Sequence, residues 1–268
     1  MTRVGFVGLG QIGRPMAERL DAPVVYDLLA QATDGFADVA ASAGEVAQRA
    51  DVISVMVRDD AQVRDVVREM LPVARRGTVI AIHSTISPGT AEDLAGRSGD
   101  VHVVDAPVSG GFIGASEGTL AVMVGGSVDA VDRCREPFGH WATLFVHVGG
   151  VGAGTKAKLA RNLMHFVAFT AAGEAQRLAE AASIDLSALA KVVRHSDKVT
   201  GGPGAIMFRD STKPVVPDDP WFDVLNHTAE LGEKDLRLAL ELGEELGVDL
   251  PFGSLALEYF ASSLGVKR

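Results

Sequence analysis

The tightest constraint on this chain lies near its start. A short apolar run, Val4-Gly5-Phe6-Val7, leads into Gly8-Leu9-Gly10-Gln11-Ile12-Gly13, and a helical pattern through Met16, Ala17 and Leu20 follows. This is G-x-G-x-x-G between a strand and a helix. With 30 glycines in 268 residues, composition alone would supply about 0.4 such matches, so the motif draws its meaning from its setting. Pro23-Val24-Val25-Tyr26-Asp27 reads as a second strand, ending in an acid nineteen residues after Gly8. In such a unit the first glycine permits a tight turn, the second lets backbone approach a pyrophosphate, and the third lets helix and strand pack closely. The helix N-terminus faces the negative phosphates. Asp27 would accept hydrogen bonds from the ribose hydroxyls. A 2′-phosphate would meet that carboxylate, and Leu28 and Leu29 offer no cation. The pattern therefore predicts NAD, with NADP disfavoured. The competing reading of Asp27 is an ordinary turn acid.

The alternation continues. A helix around Gly44 to Gln48 leads to strand Val52 to Val57, and a helix from Ala61 to Leu71 leads to strand Thr78 to Ile82. Apolar strands alternating with amphipathic helices predict a doubly wound, mostly parallel sheet covered on both faces. Ligands on such sheets bind beyond the carboxyl ends of the strands. Those ends are Gly8, Asp27, Met56 and Val57 running to Asp59, and Ser84-Thr85. Thr85 could bond the cofactor or cap a helix at Thr90 to Leu94. A strand at Val101 to Val104 runs into Asp105-Ala106-Pro107-Val108-Ser109-Gly110-Gly111, and strand Leu120 to Val124 follows. Ser109, Gly110 and Gly111 expose several N–H groups in one place. That is a nest for a carboxylate, or simply a flexible turn.

The second half opens at Gly152-Ala153-Gly154. An Ala-rich segment without proline runs on to about Ala182 and reads as one long helix. Lys158, Arg161, Asn162 and His165 fall on one stripe. Leu159, Leu163, Met164, Phe166 and Val167 fill the remaining faces, the pattern of a buried helix. Lys158 would be costly there unless it lined a wet cleft or was paired; the alternative is a lysine snorkelling from a surface helix. Asp185 to Val193 reads as another helix with Asp185 as its N-cap, and His195 to Gly204 as irregular, a possible substrate-contacting loop. Residues 211–220, with Pro214, Pro217 and Pro220, read as a second irregular run, and Trp221 and Phe222 as core or interface anchors. An amphipathic helix is predicted over Thr228 to Leu246, on which the adjoining Lys234 and Asp235 should not face each other. The domains are expected at 1–152, a dinucleotide-binding Rossmann domain, and 153–268, an all-α substrate and oligomerisation domain opening with the long interdomain helix.

Composition removes several classes. The formal net charge is −10 and no basic cluster interrupts it, which argues against nucleic acid. Seven scattered histidines and one cysteine, Cys134, show no metal-ligand spacing. No metal is expected, and Cys134 is expected to be a small core hydrophobe. A strand so near the start leaves no place for a secretory signal, and no apolar run reaches membrane-span length. A cytoplasmic protein with no membrane partner is expected.

Taken together the chain resembles the β-hydroxyacid dehydrogenase family, which includes 3-hydroxyisobutyrate dehydrogenase and tartronate semialdehyde reductase. Four ordered motifs carry the resemblance: Gly8 to Gly13; Asp105 to Gly111 continuing to Gly118-Thr119-Leu120; Gly152-Ala153-Gly154 with Lys158 and Asn162; and Lys234-Asp235-Leu236. The resemblance implies that Lys158 is the catalytic lysine and that Asn162 orients substrate and lysine. It implies that Ser109, Gly110 and Gly111 hold the substrate carboxylate, that Lys234 closes the site from the second domain, and that Thr85 contacts the cofactor. It further implies hydride transfer between NAD and a small hydroxy acid, in a homodimer or homotetramer. Arg161 departs from the family's paired Asn, His165 is atypical, and relatives usually continue past Arg268, a cover that a partner subunit could supply. The alternatives are an imine reductase-like enzyme or a non-catalytic dinucleotide-binding scaffold; both typically lack a lysine at this position.

Overall fold

The computed structural model describes residues 2–267. They form two compact units, divided between Arg161 and Asn162. The first unit runs β1 (Val4–Val7), α1 (Gly13–Ala17), β2 (Val24–Tyr26), α2 (Ala43–Arg49), β3 (Val52–Val55), α3 (Asp60–Met70), β4 (Val79–Ile82) and α4 (Pro88–Gly96). It continues with β5 (His102–Asp105), β6 (Val108–Ser109), α5 (Gly111–Glu117), β7 (Leu120–Gly125), α6 (Val128–Phe138) and β8 (Ala142–Gly149). The sheet order begins β2-β1-β3-β4-β5, all parallel. β7 is antiparallel to β5 and to its short continuation β6, and β8 runs parallel beside β7. This is the Rossmann-type, mostly parallel sheet the alternation predicts.

The period of two along each strand explains why the sheet is covered on both faces. Phe6 packs in a core with Met16, Leu20, Phe138 and Trp141, whereas its neighbour Val7 packs opposite with Val46, Ile53 and Leu94. Val79 and Ala81 join the first core, Ile80 and Ile82 the second. Cys134 lies in the first core, fully buried, as expected of it. Side-chain caps set the crossover helices: Ser42 accepts from Glu45 N, Asp59 from Gln62 N and Ser127 from Ala130 N.

The helix α7 (Ala153–Ala181) crosses the division. The sequence boundary at 152/153 marks where this helix begins; the compact units part later, because the first two turns are tied to the sheet, as described below. The second unit holds the rest of α7 with α8 (Leu186–Thr200), α9 (Phe222–Leu246) and α10 (Pro251–Ser263); its small core, Val215, Leu225, Ala229, Ala261, Leu264 and Val266, comes from α9, α10 and the segments flanking them. Asp185 caps α8, accepting from Ser187 N. Glu174 of α7 is buried and accepts from the Phe252 and Gly253 N–H groups, capping α10. No described helix is long and apolar enough to cross a membrane.

Several expectations need correction. His195 to Thr200 is not irregular: it is the last part of α8, which ends only at Gly201, at φ 92°. The Ser196 and Thr200 hydroxyls bond back to Val192 O and Ser196 O, so these turn-forming residues satisfy themselves inside the helix. Beyond its first turns α7 is largely exposed, with Leu163 69% exposed and Phe169 60%, although Glu174 and Ala179 are buried. Lys234 and Asp235 do pair, Nζ to Oδ1 at 2.9 Å, because a long flexible stem reaches a neighbour that shares no helix face. Thr85 caps nothing: Ser87 holds the N-cap position of α4, without a side-chain bond.

Candidate active site

The loop after β1 turns at Gly8, whose φ of 93° suits glycine. A Cβ on Gly13 would strike the Gly8 carbonyl oxygen and the Phe6 ring, so only glycine lets α1 close on β1. A Cβ on Gly10 would meet nothing within 4 Å; the backbone there is open. The open side is a cleft of about 690 Å³ over the strand ends. Gly8, Gly10, Gln11, Ile12 and Gly13 line it, with Asp27 from the end of β2 and Met56 and Val57 from the end of β3. Leu9 is buried and turns to the other side of the loop, towards a second cleft that it shares with Phe112. Thr85 is exposed and lies outside the walls of the dinucleotide cleft.

Asp27 ties this loop together. Its Oδ2 accepts from Leu9 N at 2.6 Å and its Oδ1 from Leu29 N at 2.8 Å. The second bond is an Asx turn, so the turn reading of Asp27 holds alongside its place in the cleft. An open glycine backbone and a carboxylate at the end of the second strand, lining one cleft, fit a dinucleotide. Two strand ends named from the sequence contribute side chains whose parts the sequence did not give. Arg58, within the run from Val57 to Asp59, lines the same cleft, although nothing local to Asp27 supplies a cation. The Ser84 hydroxyl donates to Val57 O and accepts from Val57 N, locking the ends of β3 and β4 side by side. Only the pairing of those strands brings these residues together.

The second part of the site is built where β5, β7 and α7 meet. Asp105 ends β5, fully buried. Its Oδ1 accepts from Gly152 N at 2.7 Å and its Oδ2 from Thr155 N at 2.6 Å. These are first-turn donors that a helix leaves without internal partners. Burial pushes the Asp105 carboxyl above the usual range, and the Thr155 and Gly152 N–H bonds oppose that push. The fit allows no side chain between the parts. A Cβ on Gly154 would lie 2.5 Å from both Asp105 O and Met123 O, and one on Gly125 would collide with Asp105 Oδ1. The Gly152-Ala153-Gly154 motif is thus the seat of the helix on bare backbone.

Lys158 follows one turn on. It is 9% exposed, and its Nζ donates to Val108 O at 2.6 Å. Burial first, and the Arg161 cation second, hold its ammonium below the ordinary lysine range. Val108 immediately precedes Ser109, Gly110 and Gly111. Gly110, at φ 135°, and Gly111, at φ 62°, turn the chain into α5, and both are exposed. The fold therefore brings the amine to the start of the Ser109–Gly111 loop within one unit. Asn162 lies at i+4 from Lys158 on α7, half-buried, and Lys234 lies on α9 with an exposed side chain. Among the described residues no group of His, Cys, Asp and Glu could hold a metal ion.

Comparison with known proteins agrees with this architecture. Residues 3–150 match the NAD-binding domain of 6-phosphogluconate dehydrogenase, and residues 152–265 match the domain described as NAD-binding of NADP-dependent 3-hydroxyisobutyrate dehydrogenase. An uncharacterized oxidoreductase of Mycobacterium tuberculosis is 53% identical, covering 98% of this chain and 94% of its own. The NAD-dependent L-serine dehydrogenase of Pseudomonas aeruginosa is 33% identical over 97% of this chain and 91% of its own. A crystal structure of a Mycobacterium avium 104 protein superposes with a TM-score of 0.96 at 49% identity, covering 100% of both chains. Glycine loop, seated helix and buried lysine thus stand in order along one chain whose relatives match it nearly end to end, and that chain belongs to the 3-hydroxyisobutyrate dehydrogenase, or β-hydroxyacid dehydrogenase, family of dinucleotide-binding oxidoreductases.

Proposed function

We propose that this protein uses NAD to interconvert a small hydroxy acid and its aldehyde or keto acid, with Lys158 as general acid and base. The observation that carries the reading is the Lys158 amine, buried on Val108 O at 2.6 Å beside the Ser109–Gly111 loop. A general base must be neutral at working pH, and burial with a neighbouring Arg161 favours the neutral amine. In oxidation Lys158 takes the substrate hydroxyl proton; in reduction it returns that proton to the developing alkoxide. Gly110 and Gly111 are exposed where the chain leaves β6 for α5; their backbone, with the half-buried Ser109 beside it, would hold a substrate carboxylate and so keep the reacting carbon in place. A bound nicotinamide supplies the hydride acceptor or donor. Asn162 cannot titrate, so its part is orientation and polarisation. For Asn162, Lys234 and Thr85 the support is the family motif.

Preference for NAD is supported by Asp27 in the cleft and by the NAD-dependent L-serine dehydrogenase among the relatives. The protein is read as cytoplasmic, and its second unit, which begins at Asn162, as serving substrate and assembly into a homodimer or homotetramer. Its support is the apolar surface of that unit, where Val199 and Met207 are 72% and 73% exposed. The test is NADH formation with a panel of small hydroxy acids, L-serine and 3-hydroxyisobutyrate first. Lys158→Ala should lower turnover by at least about 100-fold while NADH binding, read by fluorescence, is unchanged. Full turnover in that variant, or lost NADH affinity, overturns the assignment.

A further inference from the structure

We infer that Asp105 is a positioning residue for Lys158: its carboxylate clamps the first turn of α7 and so sets the amine against the Val108 carbonyl at the start of the Ser109–Gly111 loop. The inference rests on the acid–base reading of Lys158. One short segment, Asp105 to Gly111, supplies the clamp, the carbonyl under the amine and the proposed carboxylate loop. Lysine and loop are therefore registered to the same piece of backbone rather than to each other through solvent.

The geometry gives the clamp little slack. Both carboxylate oxygens are engaged, by Gly152 N at 2.7 Å and Thr155 N at 2.6 Å. Gly125 and Gly154 press bare backbone against Asp105 from either side, where a single Cβ would collide. Lys158 lies three residues beyond Thr155, about 4.5 Å along a stiff helix, so a displacement of the first turn reaches the amine almost undiminished. A misplacement of about 1 Å near reacting groups can cost about 100-fold in rate. The clamp acts by position rather than by charge. Within the first unit the charged group that shifts Lys158 is Arg161, on its own helix, while Asp105 acts electrostatically on Lys156, which pairs with Glu92 at 2.8 Å.

Asp105→Asn keeps the volume but presents an NH₂ group to one of the two N–H donors, replacing a bond with a donor–donor clash. Gly154→Ala lifts the same turn sterically and leaves the carboxylate in place. Both are tested in the full-length protein. Three quantities are read: kcat and KM for hydroxy-acid oxidation across pH, NADH affinity, and the pH dependence of Lys158 acetylation by acetic anhydride, followed by peptide mass spectrometry without substrate. The expected result in both variants is kcat down by about 100-fold with NADH affinity within about twofold. With it, the midpoints of the kcat limb and of Lys158 acetylation should move up towards an ordinary lysine. A merely structural role would lower the amount of folded protein and leave both midpoints where they were. Wild-type midpoints with kcat within about threefold of wild type, or a kcat loss matched by loss of NADH binding, overturn the inference. If Asp105→Asn does not fold, Gly154→Ala decides. The two failures are separable: an active Lys158→Ala enzyme sinks the catalytic reading, whereas the acetylation midpoint still reports whether Asp105 sets the amine.

Discussion

His83 offers a quantitative test of the packing beneath the site. It follows β4 directly and is fully buried, with its ring against Phe138 and Trp141 at centroid distances of 4.9 and 5.1 Å. Nδ1 lies 2.7 Å from Ala106 O and Nε2 lies 2.9 Å from Ser54 Oγ. A carbonyl only accepts, so Nδ1 carries the proton and Nε2 accepts from the serine. Burial lowers the imidazole from an ordinary 6.5 to about 4. The unfolded chain therefore binds a proton that the folded chain refuses between those two values. The sign follows: stability from the neutral buried ring is complete above about pH 6.5 and is lost as pH falls towards 4. At about 1.4 kcal/mol per pH unit the loss reaches about 2 kcal/mol by pH 5 and about 3 kcal/mol at pH 4. Asp38 and Asp93, whose carboxyls arginine partners hold below the usual range, add their losses only nearer pH 4. Asp105, raised by burial, works in the opposite sense; these carboxyls are common to wild type and a His83 variant, so the difference between the two isolates His83. Urea unfolding of wild type and His83→Gln at pH 7.5, 6 and 5 reads the effect. The wild type should lose about 2 kcal/mol more than the variant across that range. Equal losses would refute the argument that burial keeps this ring neutral.

Two further outcomes follow from other sites. Replacing Asp27 by Asn and Leu28 by Arg together should raise the NADP to NAD ratio of kcat/KM at least about tenfold, since a carboxylate is exchanged for a cation; an unchanged ratio would remove Asp27 from the ribose contact. Burial pushes the Cys134 thiol up to about 12. It should resist iodoacetamide in the folded protein at pH 8 and react only on unfolding, and rapid labelling of native protein would contradict its place in the core.

What could be read in advance followed the range of the interactions. β1, the glycine loop, β2, β3 and β4 are local devices: period-two apolar runs, turn glycines and caps from neighbouring residues. They were legible for that reason. α5, spanning Gly111–Glu117, was hidden by its glycines, which lower helix propensity. β8 was missed because an edge strand of mixed burial, Ala142–Gly149, carries no clean alternation. α10 is capped by Glu174, which lies 78 residues upstream of Phe252, and no local pattern announces such a cap. In the site, Lys158 stood out because a lysine on so apolar a helix is expensive. The burial inferred for the rest of that helix did not follow: Leu163 and Phe169 are exposed, because an apolar pattern around a helix does not by itself supply neighbours to cover every face. The part played by Asp105 was invisible because its partners, Gly152 and Thr155, lie 47 and 50 residues away and meet it only once β5 and α7 are assembled.

The account turns on where one nitrogen sits when the reactants are bound. A crystal of the enzyme with NAD and a slowly turned-over hydroxy acid measures it directly. The account predicts Lys158 Nζ within about 3.2 Å of the substrate hydroxyl oxygen, on the side away from the nicotinamide, with the substrate carboxylate on the Ser109–Gly111 N–H groups. A substrate oxygen lying beyond hydrogen-bond reach of that amine, with another titratable group in its place, would contradict it.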